Sequence, residues 1–147
     1  HKKEIVYDSN LVLSPYYTRE KFDILLKSAK KSIKMYIQNF WDKKVLEILK
    51  SKKKEWIDIE IILPDLKSIE SNSDEIEEFK KAWIKYKTSK NPYIHAKSIL
   101  IDDKYLYIWS INFSSYSIDK NREIWLLIKT GKIIQKFLDI FSSDFKK

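Results

Sequence analysis

The chain has 147 residues, a length that suits one domain, and with 44% hydrophobic and 14% aromatic residues it can bury a core, which excludes wholesale disorder. Its 29 Lys and Arg residues exceed its 21 Asp and Glu residues, and the net charge of +8 favours anionic partners: nucleic acid, an acidic membrane surface or a phosphate-bearing substrate. The lack of cysteine excludes disulfides and a thiol nucleophile and leaves the compartment open, while the single glycine excludes glycine-rich phosphate loops.

The first half of the chain predicts alternating helices and strands. A helix with Thr18 as its N-cap comes first, an extended segment follows from Ser32 to Phe40, and Asp42 caps a second helix. Isoleucines that alternate with acidic residues predict a strand from Ile57 to Leu63, which Pro64 ends. A third helix carries the apolar stripe Ile76, Phe79, Trp83 and Tyr86.

The second half is richer in strands. Strands from Tyr93 to Ile101 and from Tyr105 to Trp109 predict a hairpin that turns at Asp102 and Asp103. A polar loop from Asn112 to Asn121 leads to a strand from Glu123 to Ile128. The closing helix buries Ile134, Phe137, Leu138 and Phe141. The expected fold is therefore a single α/β domain over residues 1–147, in which helices flank a mixed β-sheet.

Polar residues with phosphate chemistry fall on the predicted hairpin and the strand after it. His95 and Lys97 lie two residues apart on one strand face, about 7 Å from each other, and Ser110 and Asn112 repeat that spacing on the next strand. Glu123 begins the following strand, although its residue type alone fits equally a surface carboxylate facing a neighbouring cation. A neutral imidazole can attack phosphorus while lysine and asparagine hold the oxygens, with no metal and no cofactor.

These residues match a known family pattern. His95-Ala96-Lys97, Asp102 and Ser110-Ile111-Asn112 resemble the HxKxxxxD…GSxN signature of the phospholipase D superfamily. The run Ser117 to Ile124 resembles the continuation of that signature. The upstream segments Leu13-Ser14-Pro15, Ala29 to Ile33 and Trp56 to Pro64 resemble the opening of one catalytic half, so the resemblance spans nearly the whole chain.

The resemblance implies a role for each position. His95 would be the nucleophile that forms a phosphohistidine, and Glu123 would orient an imidazole. Asp102 would support the fold around the motif rather than perform chemistry. The phosphate ligands would be Lys97, Ser110 and Asn112. Trp109 departs from the pattern, because it stands where the family has glycine, and its indole is expected to narrow the phosphate pocket.

The family builds its active site from two such halves, and the second histidine protonates the leaving group. Since this chain holds one motif, it resembles either a homodimeric single-motif nuclease or the second half of a two-motif enzyme. The expected function is a metal-independent phosphodiesterase, a hydrolase of the phospholipase D type, with nucleic acid favoured as substrate because the domain is small and basic. The alternatives are a phospholipid-cleaving or phosphatidyl-transferring half, and a degenerate half that binds phosphate without turnover.

Overall fold

The computed structural model describes residues 10–13, 18–67, 69 and 72–147, in which seven strands form one sheet flanked by five helices. The strands are β1 (Leu11–Leu13), β2 (Ser32–Tyr36), β3 (Asp58–Pro64), β4 (Lys85–Ser89), β5 (Ser98–Ile101), β6 (Tyr105–Trp109) and β7 (Ile124–Ile128). The helices are α1 (Thr18–Lys27), α2 (Lys43–Lys54), α3 (Ser73–Lys81), α4 (Ser115–Asp119) and α5 (Gly131–Lys146).

The sheet is mixed, as the sequence predicts, with the strand order β1-β7-β6-β5-β2-β3-β4. Strands β2, β3 and β4 run parallel to one another, and β5, β6, β7 and β1 continue the sheet in antiparallel pairs. The carboxyl ends of β2, β3, β4 and β6 therefore lie at the same edge as the amino ends of β5 and β7. This edge carries the candidate site.

Helices cover both faces of the sheet. On one face, α1, α2 and α3 contribute Phe22, Leu26, Leu49 and Phe79 to the main core. On the other face, α5 packs over smaller clusters of buried residues. The residues of these clusters are Tyr36, Ile62, Ile94, Leu100, Leu106, Ile134 and Phe141. Because the central strands are covered on both faces, the second half of β3, from Ile61 to Pro64, is buried throughout, whereas isoleucine alternates with Asp58 and Glu60 in its first half.

The third helix is shorter than the sequence predicts. α3 ends at Lys81, the side chain of Trp83 is 83% exposed, and Tyr86 lies on β4, a strand that the periodicity did not reveal. The apolar residues of the helix and the strand happen to continue one helical spacing, and no glycine marks the end of the helix. Predicting a single helix through Tyr86 was therefore wrong.

Other boundaries also differ. The first hairpin strand begins only at Ser98, so residues 93–97 are irregular, and the extended segment from Ser32 ends as a strand at Tyr36. The predicted polar loop contains the short helix α4, and β1 was not predicted because three residues show no periodicity. The N-cap of α2 is confirmed: the carboxylate of Asp42 accepts the backbone N–H of Val45 at 2.9 Å. Ser14 and Pro15, part of the family resemblance, lie outside the described residues.

Candidate active site

The ends of three neighbouring strands meet at the edge of the sheet where most of the predicted site residues lie. β5 begins at Ser98, β6 ends at Trp109 and β7 begins at Ile124. Pairing extends one residue past the strands, since the N–H of Trp109 donates to the carbonyl of Lys97 at 3.2 Å. The N–H of Ser110 in turn donates to the carbonyl of Ile124 at 3.1 Å. The register of the two ladders thus brings the separated parts of the motif to one edge.

His95 and Lys97 lie in the irregular segment that enters β5. The imidazole of His95 is exposed to solvent, and Lys97 is half-buried with its Nζ donating to the carbonyl of His95 at 3.0 Å. Burial lowers the pKa of Lys97 below that of an ordinary lysine, and the negative charge of Glu123 offsets only part of that shift. The structure therefore places this cation against the backbone of His95, and both residues line the same cavity.

Glu123 is held by polar groups on either side of it. The hydroxyl of Ser110 donates to Oε2 of Glu123, and the side-chain amide of Asn121 donates to Oε1 at 3.2 Å. The backbone N–H of Ile124 completes the arrangement by donating to the hydroxyl oxygen of Ser110 at 3.2 Å. Glu123 therefore orients Ser110 in this structure, and its charge acts on Lys97.

Asn112 lies between the end of β6 and the start of α4, and it is not among the residues that line the cavity beside His95, Lys97 and Ser110. Its carbonyl oxygen Oδ1 is buried and has no hydrogen-bond partner among the described residues. An unpaired buried acceptor costs free energy, and its amide group has ligand-binding capacity left over.

An ion cluster fixes α4, and with it the segment that begins at Asn112. Arg19 of α1 donates to Asp42 at 2.7 Å and to Asp119 at 2.9 Å, and the hydroxyl of Ser115 donates to Asp42 at 3.2 Å. Burial acts to raise the pKa of Asp42, but the hydrogen bonds from Arg19 and Val45 outweigh it and hold that pKa below its usual range. The cluster joins three helices near the site.

Asp102 lies at the opposite end of β5 from the site. Its carboxylate accepts the backbone N–H groups of Lys30, Lys31 and Ser32 at 2.7 to 3.1 Å, and its own N–H donates to the carbonyl of Ser32 at 2.9 Å. Partial burial acts to raise the pKa of Asp102, but these hydrogen bonds outweigh it and the pKa lies below the usual value. The contacts tie the β5–β6 turn to the start of β2.

Trp109 belongs to the main core and is also among the residues that line the cavity beside the site. Its side chain is 6% exposed and packs in the main core, with ring centroids 5.1 Å from Phe22, 5.4 Å from Phe113 and 5.7 Å from Trp125. Successive residues of a strand point to opposite faces, so the indole and the hydroxyl of Ser110 diverge. The indole is therefore directed into the core and away from the hydroxyl of Ser110.

A cavity of about 720 Å³ opens beside these groups. Along one side it is lined by His95, Lys97 and Ser110, and along the other by residues of α5 and β2. The residues on that second side include Tyr36, Phe137, Ile140 and Asp144. The volume lies within the range of roughly 300–1,000 Å³ that is typical of small-molecule sites.

The sequence reasoning missed the far wall of this cavity. Asp144 occupies the apolar stripe of α5 that also holds Phe137 and Phe141, and a carboxylate on such a stripe was the signal available. It accepts the hydroxyl of Tyr36 at 2.7 Å. Tyr36 comes from β2, more than 100 residues away in sequence, so no local pattern connects the two.

Comparison with known proteins identifies the family. The family described as "Cardiolipin synthase, PLD-like domain" matches residues 23–145, and the chain belongs to it. Nuc from Salmonella typhimurium, described as a phospholipase D family member, is similar with a TM-score of 0.79 and 24% identity over 92% of each chain. NucT from Helicobacter pylori is similar with a TM-score of 0.73 and 23% identity, over 92% of this chain and 94% of its own.

A further solved structure shares the fold within a longer chain. Phosphatidylserine synthase from Haemophilus influenzae has a TM-score of 0.72 and 14% identity, covering 93% of this chain and 38% of its own. No curated protein sequence matches the chain. Among the described residues, no helix is long and apolar enough to cross a membrane, and no three His, Asp or Glu side chains are grouped to hold a metal ion.

Proposed function

We propose that this chain is a metal-independent phosphodiesterase that cleaves nucleic acid through a covalent intermediate on His95. The observation that carries the proposal is the meeting of an exposed imidazole, a half-buried lysine and the Ser110–Glu123 pair at one sheet edge, beside an open cavity. Each group matches a step that phosphodiester cleavage requires, and the family membership agrees with chemistry on phosphodiesters.

The first step is attack by a ring nitrogen of His95 on phosphorus. A P–N bond forms as the P–O bond to the leaving group breaks, and the departing oxygen takes a proton from an acid on the far side. In the second step a water molecule attacks phosphorus and gives its proton to the conjugate base of that acid. The P–N bond breaks, which releases the phosphate monoester and restores the imidazole.

Lys97, Ser110 and Asn112 are the groups we assign to the phosphate oxygens. The ammonium of Lys97 offsets the negative charge that builds up at phosphorus, and its partial burial strengthens that interaction. The side-chain N–H groups of Asn112 donate further hydrogen bonds to the oxygens, and the hydroxyl of Ser110 donates to one of them when it turns from Glu123 to the bound phosphate. Glu123 acts through Ser110 and Lys97 as a positioning residue, in addition to the imidazole-orienting role that the family pattern implies.

Nucleic acid is favoured over phospholipid by charge. The chain carries a net charge of +8, which suits a polyanionic substrate. DNA binding is therefore expected to weaken steeply as salt rises, because lysines displace condensed counterions. Tight binding to anionic vesicles with weak, salt-insensitive DNA binding would favour the lipid alternative.

The acid on the far side of phosphorus has to come from a second half, since His95 is the only histidine of the chain apart from His1. An apolar face on β6, β7 and β1 lies next to the site and is suited to a second copy of the chain. Cross-strand pairing puts Ile108, Leu126 and Leu11 on one face with Ile124, each 44% to 49% exposed. We propose that two copies pair through this face and share their histidines across a two-fold axis.

The test is cleavage of plasmid DNA and, separately, of phospholipid vesicles in the presence of EDTA. DNA should be cleaved with EDTA present, and His95→Ala should abolish turnover with an unchanged circular dichroism spectrum. His95→Asn should also be inactive yet still bind phosphate, because Lys97 and Asn112 remain. Loss of wild-type cleavage in EDTA contradicts the metal-free mechanism, and cleavage of vesicles but not of DNA contradicts the substrate. Phosphate binding with no turnover on either substrate would show a degenerate half.

A further inference from the structure

The cavity beside the candidate active site contains polar groups that the phosphodiesterase mechanism does not use. Ser98 is 4% exposed, its hydroxyl has no hydrogen-bond partner among the described residues, and it lines the cavity. A buried hydroxyl without a partner costs free energy unless a ligand or water satisfies it. This hydroxyl therefore indicates that the cavity receives a polar molecule.

A buried carboxylate stands at the end of α5 in the same cavity. The side chain of Asp144 is 12% exposed, and its Oδ2 accepts the hydroxyl of Tyr36 at 2.7 Å while its Oδ1 accepts Nζ of Lys147 at 3.2 Å. Burial raises the pKa of Tyr36, as does the hydrogen bond to Asp144, so the phenol stays protonated and donates. Since a carboxylate has about four acceptor positions, Asp144 can accept further N–H groups.

The remaining walls are largely apolar. Phe137 packs edge-on against Tyr36 with ring centroids 5.7 Å apart, and Ile108 and Ile140 line the same space. Apolar and aromatic walls with a few convergent polar groups are typical of small-molecule sites and accommodate a heteroaromatic ring. His95, Lys97 and Ser110 line the same cavity, so a ring placed here would adjoin a phosphate held by those residues.

We propose that this cavity binds the nucleobase next to the reacting phosphate, with the carboxylate of Asp144 accepting the base's exocyclic amino group and the hydroxyl of Ser98 completing its hydrogen bonds. The inference deepens the proposed nuclease function and rests on it for the identity of the ligand. A base with an amino group is preferred over one with a carbonyl at the same position, because a carbonyl oxygen is repelled by the carboxylate.

The experiment compares binding of 5′-dCMP and 5′-dUMP by calorimetry, since cytosine and uracil have nearly the same size and differ at the 4-position, an amino group or a carbonyl, and at N3, an acceptor in cytosine and an N–H in uracil. Wild-type protein should bind dCMP about tenfold more tightly than dUMP, the factor that corresponds to about one hydrogen bond. Asp144→Asn should bring the two affinities together while leaving inorganic phosphate binding unchanged. Asp139→Asn, an exposed aspartate on the same helix, is the matched control and should keep the wild-type ratio.

A second variant separates binding from folding. Ser98→Ala removes a hydroxyl that has no hydrogen-bond partner in the described part of the chain, so the melting temperature of this variant should equal or exceed that of the wild type while both nucleotides bind less tightly. Equal affinities for dCMP and dUMP in the wild type, or a ratio that survives Asp144→Asn, overturn the inference. So does tighter binding of dihexanoyl phosphatidylglycerol than of dCMP without dependence on Asp144.

Failure of the proposed nuclease function and failure of the proposed nucleobase site give different experimental results. If DNA is not cleaved but the dCMP preference depends on Asp144, the cavity is a nucleobase site and the nuclease assignment is wrong. If DNA is cleaved and the nucleotides bind equally, the nuclease assignment holds and the nucleobase site is overturned.

Discussion

At the scale of single residues, the site depends on one carboxylate that serves two neighbours. Glu123 accepts the hydroxyl of Ser110, and its charge acts on the ammonium of Lys97. Burial alone would lower the pKa of Lys97 further, so Glu123 keeps this lysine protonated over a wider range of pH. If catalysis needs the charged form of Lys97, its dependence on pH should change when Glu123 is replaced.

We predict a pH dependence from this pair. An ordinary lysine loses its proton near pH 10.4, and because the pKa of Lys97 is lowered, kcat/KM should fall at a more acidic pH than that value. Glu123→Gln removes the charge that raises the pKa of Lys97, so the alkaline fall should move to still lower pH. The pH profile of DNA cleavage measures both effects. Glu20→Gln, an exposed position on α1, should leave the profile unchanged, and an unmoved profile in Glu123→Gln would contradict the coupling.

A second prediction concerns the turn carboxylate. Asp102→Asn replaces one of the two acceptor oxygens that face three backbone N–H groups, and should lower the free energy of unfolding by about 1–3 kcal/mol. Because the pKa of Asp102 is lowered in the folded state, its stabilisation is present above the unfolded pKa of about 3.9 and is lost as pH falls through the folded value. The two proteins should therefore converge in acid.

Urea denaturation at neutral and acidic pH measures that difference, with Asp103→Asn as the control. Asp103 occupies the same turn with a similar backbone conformation, but it is exposed and pairs only with side chains. Asp103→Asn should lower the free energy of unfolding by no more than about 1 kcal/mol. Equal effects of the two substitutions would show that the turn, not the carboxylate, carries the stability.

The sequence predicts much of the site because hairpin geometry links residues that are close along the chain. The spacing of His95 and Lys97 from Ser110 anticipates their meeting across the β5–β6 hairpin. The direction of the Trp109 indole is decided by packing against Phe22 on α1, a contact that no spacing encodes. The tyrosine–aspartate pair is likewise a meeting of β2 with α5 and could not be found from local pattern.

At the scale of elements, two helices end in the same way. The N–H of Ile57 bonds back to Lys52 and that of Ile84 bonds back to Phe79, five residues earlier in each case, and both isoleucines are buried. This is the Schellman ending, in which the residue before the buried apolar one adopts a left-handed backbone and is usually glycine. Here that residue is Trp56, with φ of 65°, or Trp83, with φ of 58°.

These endings explain why the element boundaries resisted prediction. A glycine after Ala82 would have marked the end of α3 and separated Tyr86 from the helical stripe. With tryptophan in that position the apolar spacing continues without interruption. Where an end carries a conventional signal, the sequence predicts the boundary correctly: Asp42 caps α2, and Pro64 is the last residue of β3.

We predict that Trp56→Gly and Trp83→Gly each stabilise the protein. A side chain in the left-handed region destabilises the folded state by roughly 1–2 kcal/mol. The greater freedom of glycine stabilises the unfolded chain by about 0.4–1 kcal/mol, which offsets part of the gain. The two indoles are 93% and 83% exposed, so their removal loses little packing. The net gain should be about 0.5–1 kcal/mol per substitution, measured by urea denaturation.

The matched control is Trp41→Gly. Trp41 is not among the residues with a positive φ, and its side chain is half exposed, so glycine there should destabilise. A lower stability in both Trp56→Gly and Trp83→Gly would mean that the indoles make contacts that outweigh the strain of their backbone.

At the scale of the whole molecule, the sheet joins the candidate active site to an apolar face that none of the five described helices covers. The backbone N–H of Ile124 bonds to Ser110, while the side chain of Ile124 belongs to the face formed with Leu126, Ile108 and Leu11. α5 covers the same side of the sheet farther along, over Leu100 and Leu106, and leaves this part open. Pairing through the open part would bring two sites together.

We predict that Leu126→Lys prevents pairing and abolishes DNA cleavage without unfolding the chain. Leu126 lies at the centre of the face, paired with both Leu11 and Ile108, and a buried ammonium opposite its own symmetry copy would oppose association. Ile24→Lys, at a site on α1 that is 67% exposed, introduces the same charge away from the face and should remain paired and active. Sedimentation equilibrium and circular dichroism measure assembly and folding separately.

Mixing distinguishes a shared site from independent ones. If each site needs His95 from two chains, an excess of His95→Ala chains should reduce the activity of a fixed amount of wild type, by about tenfold at a ninefold excess if chains exchange and pair at random. The double variant His95→Ala/Leu126→Lys cannot pair and should not inhibit, which separates exchange of subunits from competition for DNA. Two outcomes would contradict the shared site: full activity of the wild type in excess His95→Ala, or undiminished activity of a monomer at nanomolar concentration. Either would show that one chain supplies both the nucleophile and the acid, so that no histidine from a second chain is needed.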